Sequence, residues 1–406
     1  MSTATGTSYA GATAGSFREQ RVIGDPLAAA VVGVTAVMPF ASDQVVLLVL
    51  LIPVAIAVVG CRVWIGHLRL SWAPLLFVVW ICLTVGWSVD AAASVTGALK
   101  IAIVTLLGVL VAHGRGFADL ARVVSLAALW ILGLSWIMAI ALPSVGTSQE
   151  MHETGALQGL FVHRNGLGYF AVLATVTFYL SGWSSSGGER RFSRWLPLLM
   201  GLASVYASQS RTAWAVCGFA AVLGVLLALV GRMRKPLSVP LVALLAVLVG
   251  AGSVAWTMFD ELVVLLGRDP TLTGRTVIWE AVLGGIASRP LHGYGVGALW
   301  HEGVDATADM WQLAGFPFYH AHNGYLDITA QAGVIGLALA MAVVLRAAVN
   351  GIRSFASHPT AARLWPILIV GVVCVYNFSE AVAFTNATWL LVTAVSRIED
   401  AKGGVQ

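Results

Sequence analysis

Long apolar runs recur along this chain at intervals short enough to leave little room for anything else. They fall at about residues 26–40, 44–60, 72–88, 94–112, 120–142, 159–182, 195–209, 213–230, 237–258, 322–345, 364–380 and 383–397. Most approach the roughly 17–25 residues that an α-helix needs to cross the hydrocarbon core of a bilayer. A span of this kind satisfies its backbone polar groups internally, which is what lipid demands. Strands of a membrane barrel would be shorter, and every second residue would be polar. The composition agrees: 58% of residues are hydrophobic and 10% are charged, against about 25% charged in soluble domains. The expected fold is an all-α polytopic membrane protein of about 12 transmembrane helices.

The basic residues test that reading through their placement. The formal net charge is only +4 and the chain holds 23 Lys and Arg. With the N-terminus inside, all of these lie in cytoplasmic segments except Lys100, within the fourth span, and Arg164, Arg211, Arg268, Arg275 and Arg289 at the outer side. The opposite orientation would violate the positive-inside bias at nearly every loop. The expected organisation is a disordered cytoplasmic tail over 1–25, nine spans over 26–258, a large extracytoplasmic loop over 259–321, three spans over 322–397 and a cytoplasmic tail over 398–406. The first residues are rich in Ser, Thr, Gly and Ala and lack the apolar middle of a signal peptide. The first span is therefore expected to stay as an anchor. Cys61, Cys82, Cys217 and Cys374 have neither paired nor metal-binding spacing and are expected as free thiols.

The loop over 259–321 is too long to be structureless. Thr271 or Thr273 can cap a helix, Val277, Ile278, Ala281, Val282 and Ile286 form one apolar stripe, and Pro290 stops it. This pattern predicts an amphipathic helix over 275–288, lying on the spans or at the lipid interface. Gly293, Gly295 and Gly297 then read as an irregular turn. No strand precedes them, so they are no dinucleotide fingerprint.

Charged residues near the membrane are costly and need a reason. Arg164 lies about one turn inside its span, Arg211 sits where the seventh span ends, and Arg275 opens the loop helix. All three fall on the outer side with His322, which opens the tenth span. Arginine forks suit a diphosphate, and a histidine suits a general base at neutral pH. The plain alternative is that Arg164 and Arg211 snorkel to lipid phosphates or pair with Glu380 or Asp90. Asp327 lies five residues beyond His322, which on a helix turns it away from that histidine. Lys100, about two turns into the fourth span, could add charge to the cradle or face a polar pocket. A zinc site from His292, His301, His320 and His322 is the rival reading of the histidines, and it lacks a supporting Cys or helical pair.

These residues also fall into segments with a family likeness. His322-Asn323, nine residues, Gly333, two residues and Gly336 resembles the signature of the O-antigen ligase superfamily, which includes O-antigen and exopolysaccharide polymerases. Gly159–Gly168 resembles its early motif, and Ser208–Thr212 resembles its Ser-x-Ser-Arg segment. Asp269–Trp279 is similar to the start of its large outer loop, above all in exopolysaccharide polymerases. The resemblance implies a metal-independent, inverting glycosyltransferase without a cofactor. It would take glycan from a polyprenyl diphosphate carrier to a glycan or lipid acceptor hydroxyl, outside the bacterial cytoplasmic membrane. It implies His322 as base, with Arg211, Arg275 and Arg164 on the diphosphate. Asn323, Lys100 and His320 are candidate accessory residues. Membrane lipid and other polysaccharide-assembly proteins are the expected partners, and nucleic acid is not. A transporter would instead place charges at the midplane and show related halves, and no internal repeat is seen. A non-catalytic assembly factor docking through its loop is the third reading.

Overall fold

The computed structural model describes residues 24–37, 71–149, 154–183, 191–232, 275–381 and 386–398. The expected spans at 44–60 and 237–258, residues 1–23 of the expected tail over 1–25, Cys61, residues 259–274 of the large loop with Arg268, and residues 399–406 of the C-terminal tail lie outside the described residues. Among the described residues the chain is helical, with an isolated Thr147–Leu157 bridge and no strand. The helices are α1 (Asp25–Val37), α2 (Trp72–Leu83, followed by a 3-10 turn at Thr84–Trp87), α3 (Ala91–Ala112), α4 (Phe117–Ala141), α5 (Arg164–Trp183), α6 (Arg191–Ala207), α7 (Arg211–Arg232), α8 (Arg275–Ser288), α9 (Asp305–Ala314), α10 (Gly324–Ser357), α11 (Ala361–Tyr376) and α12 (Asn386–Arg397). Four of them, α3, α4, α7 and α10, are long and apolar enough to cross a membrane. Asp25–Val37, Trp72–Trp87, Trp195–Ala207 and Ala361–Tyr376 are shorter apolar segments. Large apolar side chains such as Trp130, Ile137, Ile140 and Leu196 point outward, exposed. Apolar exposure on that scale suits a lipid solvent.

Inside the bundle, α10 packs against α2, α11 and α12, and α11 packs against α5 and α7. Small residues let backbones approach: a Cβ at Gly108 of α3 would fall 2.8 Å from the Leu390 carbonyl of α12. The buried tryptophans spend their N–H groups internally, Trp365 donating to Thr177 Oγ1 at 3.0 Å and Trp389 to Thr105 Oγ1 at 2.8 Å. Arg115 pairs with Asp25 at 2.9 Å, and Arg397 lies 3.4 Å from His113. These contacts tie the start of α1 and the ends of α3 and α12 together. The starts of α5, α7, α8 and α10 gather instead around the end of α11.

The loop segment has its own small core. Helix α8 runs over Arg275–Ser288 as the apolar stripe predicts, with Ile278, Ala281 and Val282 buried. It packs on α9 and α10, so it lies over the bundle. Helix α9 was not expected. Its Thr307, Met310 and Ala314 are buried at helical spacing, and Gly315 ends it in the left-handed conformation. Gly293, Gly295 and Gly297 all have positive φ, as an irregular turn requires.

That turn clasps a break in α10. Gly333 has φ 72° and ψ 178° inside the helix, a combination essentially confined to glycine. The break frees backbone groups on both sides, and each is used. Val334 N–H donates to Pro290 O at 2.8 Å, while the Ala330 and Gln331 carbonyls accept from Tyr294 N at 3.0 Å and Gly295 N at 2.9 Å. Trp80 Nε1 donates to Ala332 O at 2.9 Å. A Cβ at Gly333 would collide with the Leu291 carbonyl, and one at Gly336 with the Ala332 side chain. The Gly-x-x-Gly end of the His322-Asn323 motif therefore serves the kink and the loop docked on it.

Candidate active site at the Glu380 cluster

Three residues widely separated in sequence converge on one carboxylate. Glu380 follows α11, and its side chain is 10% exposed. Its Oε1 accepts from Arg275 Nη2 at 2.8 Å and from Asn165 Nδ2 at 2.9 Å. Its Oε2 lies 3.4 Å from His322 Nδ1. That separation makes an ion pair when the ring is protonated, and it is long for a hydrogen bond. Burial alone would raise the Glu380 pKa, but the His322 ring and the Arg275 guanidinium outweigh it, and the net shift is downward. The carboxylate is held ionised beside a histidine and an arginine.

His322 is not the first residue of a helix. It has φ 47°, a left-handed conformation uncommon for residues other than glycine, though histidine adopts it more readily than most. Helix α10 begins at Gly324, and Asn323 caps it, its Oδ1 accepting from Tyr325 N at 3.0 Å and Leu326 N at 3.1 Å. The Asn323 amide also donates to Phe378 O at 3.3 Å, and Gly324 N donates to Asn377 O at 2.9 Å. Asn323 thus locks the start of α10 to the end of α11 and holds His322 against Glu380. The helical-phase argument against Asp327 does not apply, because His322 precedes the helix. Asp327 is occupied otherwise: its carboxylate accepts from Ala321 N at 3.1 Å and Gln331 Nε2 at 2.7 Å.

His320 joins the cluster. Its ring lies 3.9 Å from that of His322, and its Nδ1 accepts from His322 N at 3.2 Å. Burial first, then the positive potential of His322, Arg275 and His163, lowers its pKa to about 4 against an opposing pull from Glu380. His320 is therefore neutral at neutral pH. His320, His322 and Glu380 each place one ligand atom within 4.8 Å of the others, so these three could hold a metal ion. Arg275 already occupies the carboxylate. The four-histidine zinc set does not assemble, since His292 packs edge-on against Trp87 and His301 lies 3.6 Å from Asp90.

The arginines divide. Arg275 pairs with Glu380 directly. Arg164 opens α5 and donates from Nη1 to the Gln209 carbonyl, two residues from Arg211. Gln209 also has positive φ, at 49°. Ser210 caps α7, its Oγ 3.4 Å from Ala213 N and 3.4 Å from Tyr376 Oη. Tyr376 Oη donates in turn to Asn165 O at 3.1 Å. Gly168 lets α5 close on this turn, for a Cβ there would fall 2.9 Å from Ser208 Oγ. The plain alternative paired Glu380 with Arg164 or Arg211; the arginine bonded to Glu380 is Arg275. Asp90 caps α3 through Oδ1, and its Oδ2 lies 3.6 Å from His301. Lys100 is half-buried on α3, three residues beyond Gly97, which abuts Val296. Glu380 and Asn165 were missed as site residues. In sequence Glu380 stands out only as a partner for Arg164 or Arg211, and Asn165 is an uncharged member of the Gly159–Gly168 segment.

Known proteins resemble this chain in sequence over parts of its length. Residues 196–341 match the family model described as O-antigen ligase. The chain is 27% identical over 205 residues to the exopolysaccharide production protein ExoQ of Rhizobium meliloti, an alignment covering 48% of this chain and 46% of that protein. The chain thus spans about half of that relative's length. It is 22% identical over 307 residues to a protein of Rickettsia conorii provisionally named a polysaccharide ligase, covering 70% of this chain and 71% of that one. A similarly named protein of Rickettsia felis is 24% identical over 334 residues, 78% of each. Asn165 and Glu380 lie outside the family match, while Arg211, Arg275 and His322 lie within it. The family match over residues 196–341 thus takes in the segments from Ser208 to Gly336 that resemble the O-antigen ligase superfamily.

Proposed function

We propose that this chain is a membrane glycosyltransferase that moves a glycan from a polyprenyl diphosphate carrier to an acceptor hydroxyl, polymerising cell-surface polysaccharide repeat units. The observation that carries the reading is the convergence of His322 and Arg275 on Glu380, beside the turn where Arg164 meets the Arg211 segment. With Nδ1 of His322 facing Glu380, its Nε2 is the nitrogen left to take the acceptor proton. The acceptor oxygen attacks the anomeric carbon, the bond to the carrier phosphate breaks, and the anomeric centre inverts. Glu380 then faces an imidazolium and stabilises it, as a carboxylate behind a catalytic histidine does. Arg275 has five N–H donors and spends one on Glu380, and with Arg211 and Arg164 it stabilises the leaving diphosphate.

The charge asymmetry supports an outward-facing site on a protein with about twelve spans and both termini in the cytoplasm. The name of the Rhizobium relative favours polymerisation, and the names of the rickettsial relatives favour ligation of finished glycan. Both reactions use the same chemistry at His322. His322→Ala should abolish transfer from lipid-linked repeat units in reconstituted membranes while insertion is retained. Wild-type transfer by that variant removes the proposed base. Deleting the gene should leave single repeat units on the carrier; long stranded chains would assign ligation instead. Transfer should also survive a chelator. Loss restored by added zinc would reassign His320, His322 and Glu380 to a metal.

A further inference from the structure

An open groove of about 450 Å³ lies on the loop segment, lined by Glu302, Trp311, Gln312, Phe316, Pro317 and Tyr319. Tyr319 directly precedes His320. Tyr319 is 56% exposed and Phe316 39% exposed as residues, while Phe318 between them in sequence is buried. The platform is rigid. Trp311 Nε1 donates to the Phe318 carbonyl at 2.6 Å, so the indole ring cannot turn away. Trp311 and Tyr319 meet edge to face, with centroids 5.5 Å apart and planes at 74°. Tyr319 leads in sequence to His320 through a fixed chain, for Ala321 is pinned from both sides: its carbonyl accepts from Trp279 Nε1 at 3.0 Å, and its N–H donates to Asp327 at 3.1 Å.

We propose that this groove is a saccharide subsite, holding about one or two pyranose rings next to the hydroxyl that reacts. A pyranose presents apolar C–H faces and a rim of hydroxyls. The groove offers aromatic faces set at a corner, with the Glu302 carboxylate and the Gln312 amide to accept from and donate to the rim. Among the described residues that line it none is a lysine or arginine, which favours the arginine cluster for the diphosphate. A carboxylate in the wall also makes the groove a poor seat for lipid. The inference rests on the glycosyltransferase reading, and it adds where the sugar sits.

The test uses the full chain in lipid nanodiscs. The probe is a set of short oligosaccharides released by mild acid from the surface polysaccharide of the cells that express it. Saturation-transfer NMR should show binding to the wild type and to His322→Ala alike. Tyr319→Ala should weaken binding about tenfold or more, Tyr319→Phe should keep most of it, and Glu302→Gln should weaken it severalfold. Absence of binding to the wild type, or equal binding by Tyr319→Ala, overturns the subsite. So does a probe on Tyr319→Cys, in a background lacking the native cysteines, that is shielded from water and quenched by a lipid-borne quencher. Transfer retained in His322→Ala would instead count against the proposed reaction alone, because the binding measurement does not depend on it.

Discussion

Replacing Glu380 by Gln removes one charge and little volume. The amide oxygen can still accept from Asn165 and Arg275, so the turn after α11 should hold. What disappears is the negative charge 3.4 Å from His322 Nδ1. In the proposed reaction that nitrogen shares a full positive charge once the ring has taken the acceptor proton. Coulomb's law sets the loss between about 1 kcal/mol at the dielectric of water and about 5 kcal/mol at an effective dielectric of 20. The Glu380 side chain is 10% exposed and that of His322 is 32% exposed, so an intermediate figure of about 3 kcal/mol is appropriate. This corresponds to about a hundredfold in rate. The assay is transfer from lipid-linked repeat units by purified protein in proteoliposomes, with wild type and Glu380→Gln at matched insertion. If Glu380→Gln stays within about threefold of wild type, the carboxylate does not serve the histidine, and the ion-pair reasoning fails.

Gly333→Ala combines a backbone conformation costing about 1–3 kcal/mol for any other residue with overpacking against Leu291 of about 1–3 kcal/mol. The variant should aggregate well below the wild-type temperature in detergent, and an unchanged melting profile would contradict the kink. Asn323→Ala should lose about 1 kcal/mol of cap and most of the transfer rate, because the cap positions His322. Asn323→Asp can still cap through a carboxylate oxygen and should recover stability, which thermal unfolding of the two variants will compare. The folded pKa of His320, about 4, lies below its ordinary value of 6.5. Its contribution to stability is therefore present above pH 6.5 and lost as the pH falls toward 4, by at most about 3 kcal/mol. His320→Gln should remove that acid sensitivity and leave the pH profile of transfer between pH 5 and 8 in place; a displaced profile would show that His320 titrates there.

Local chemistry is where the sequence spoke for itself. Span-length apolar runs announce helices in lipid, because no other single-segment structure satisfies the backbone there. The stripe from Val277 to Ile286 located α8, since a helical repeat of apolar residues depends only on neighbours in the chain. Arg211, Arg275 and His322 stand out in the sequence as candidates because charge at a membrane edge needs a reason. Tertiary structure decided the rest. Only folding brings residue 380 to residues 165, 275 and 322, and no periodicity encodes a contact across so much chain. Only the backbone angle at His322 shows that it stands before the helix. The partners of the groups freed at Gly333, on a loop about forty residues earlier in sequence, were hidden for the same reason: a broken helix must find new hydrogen bonds, and which segment supplies them is settled by packing.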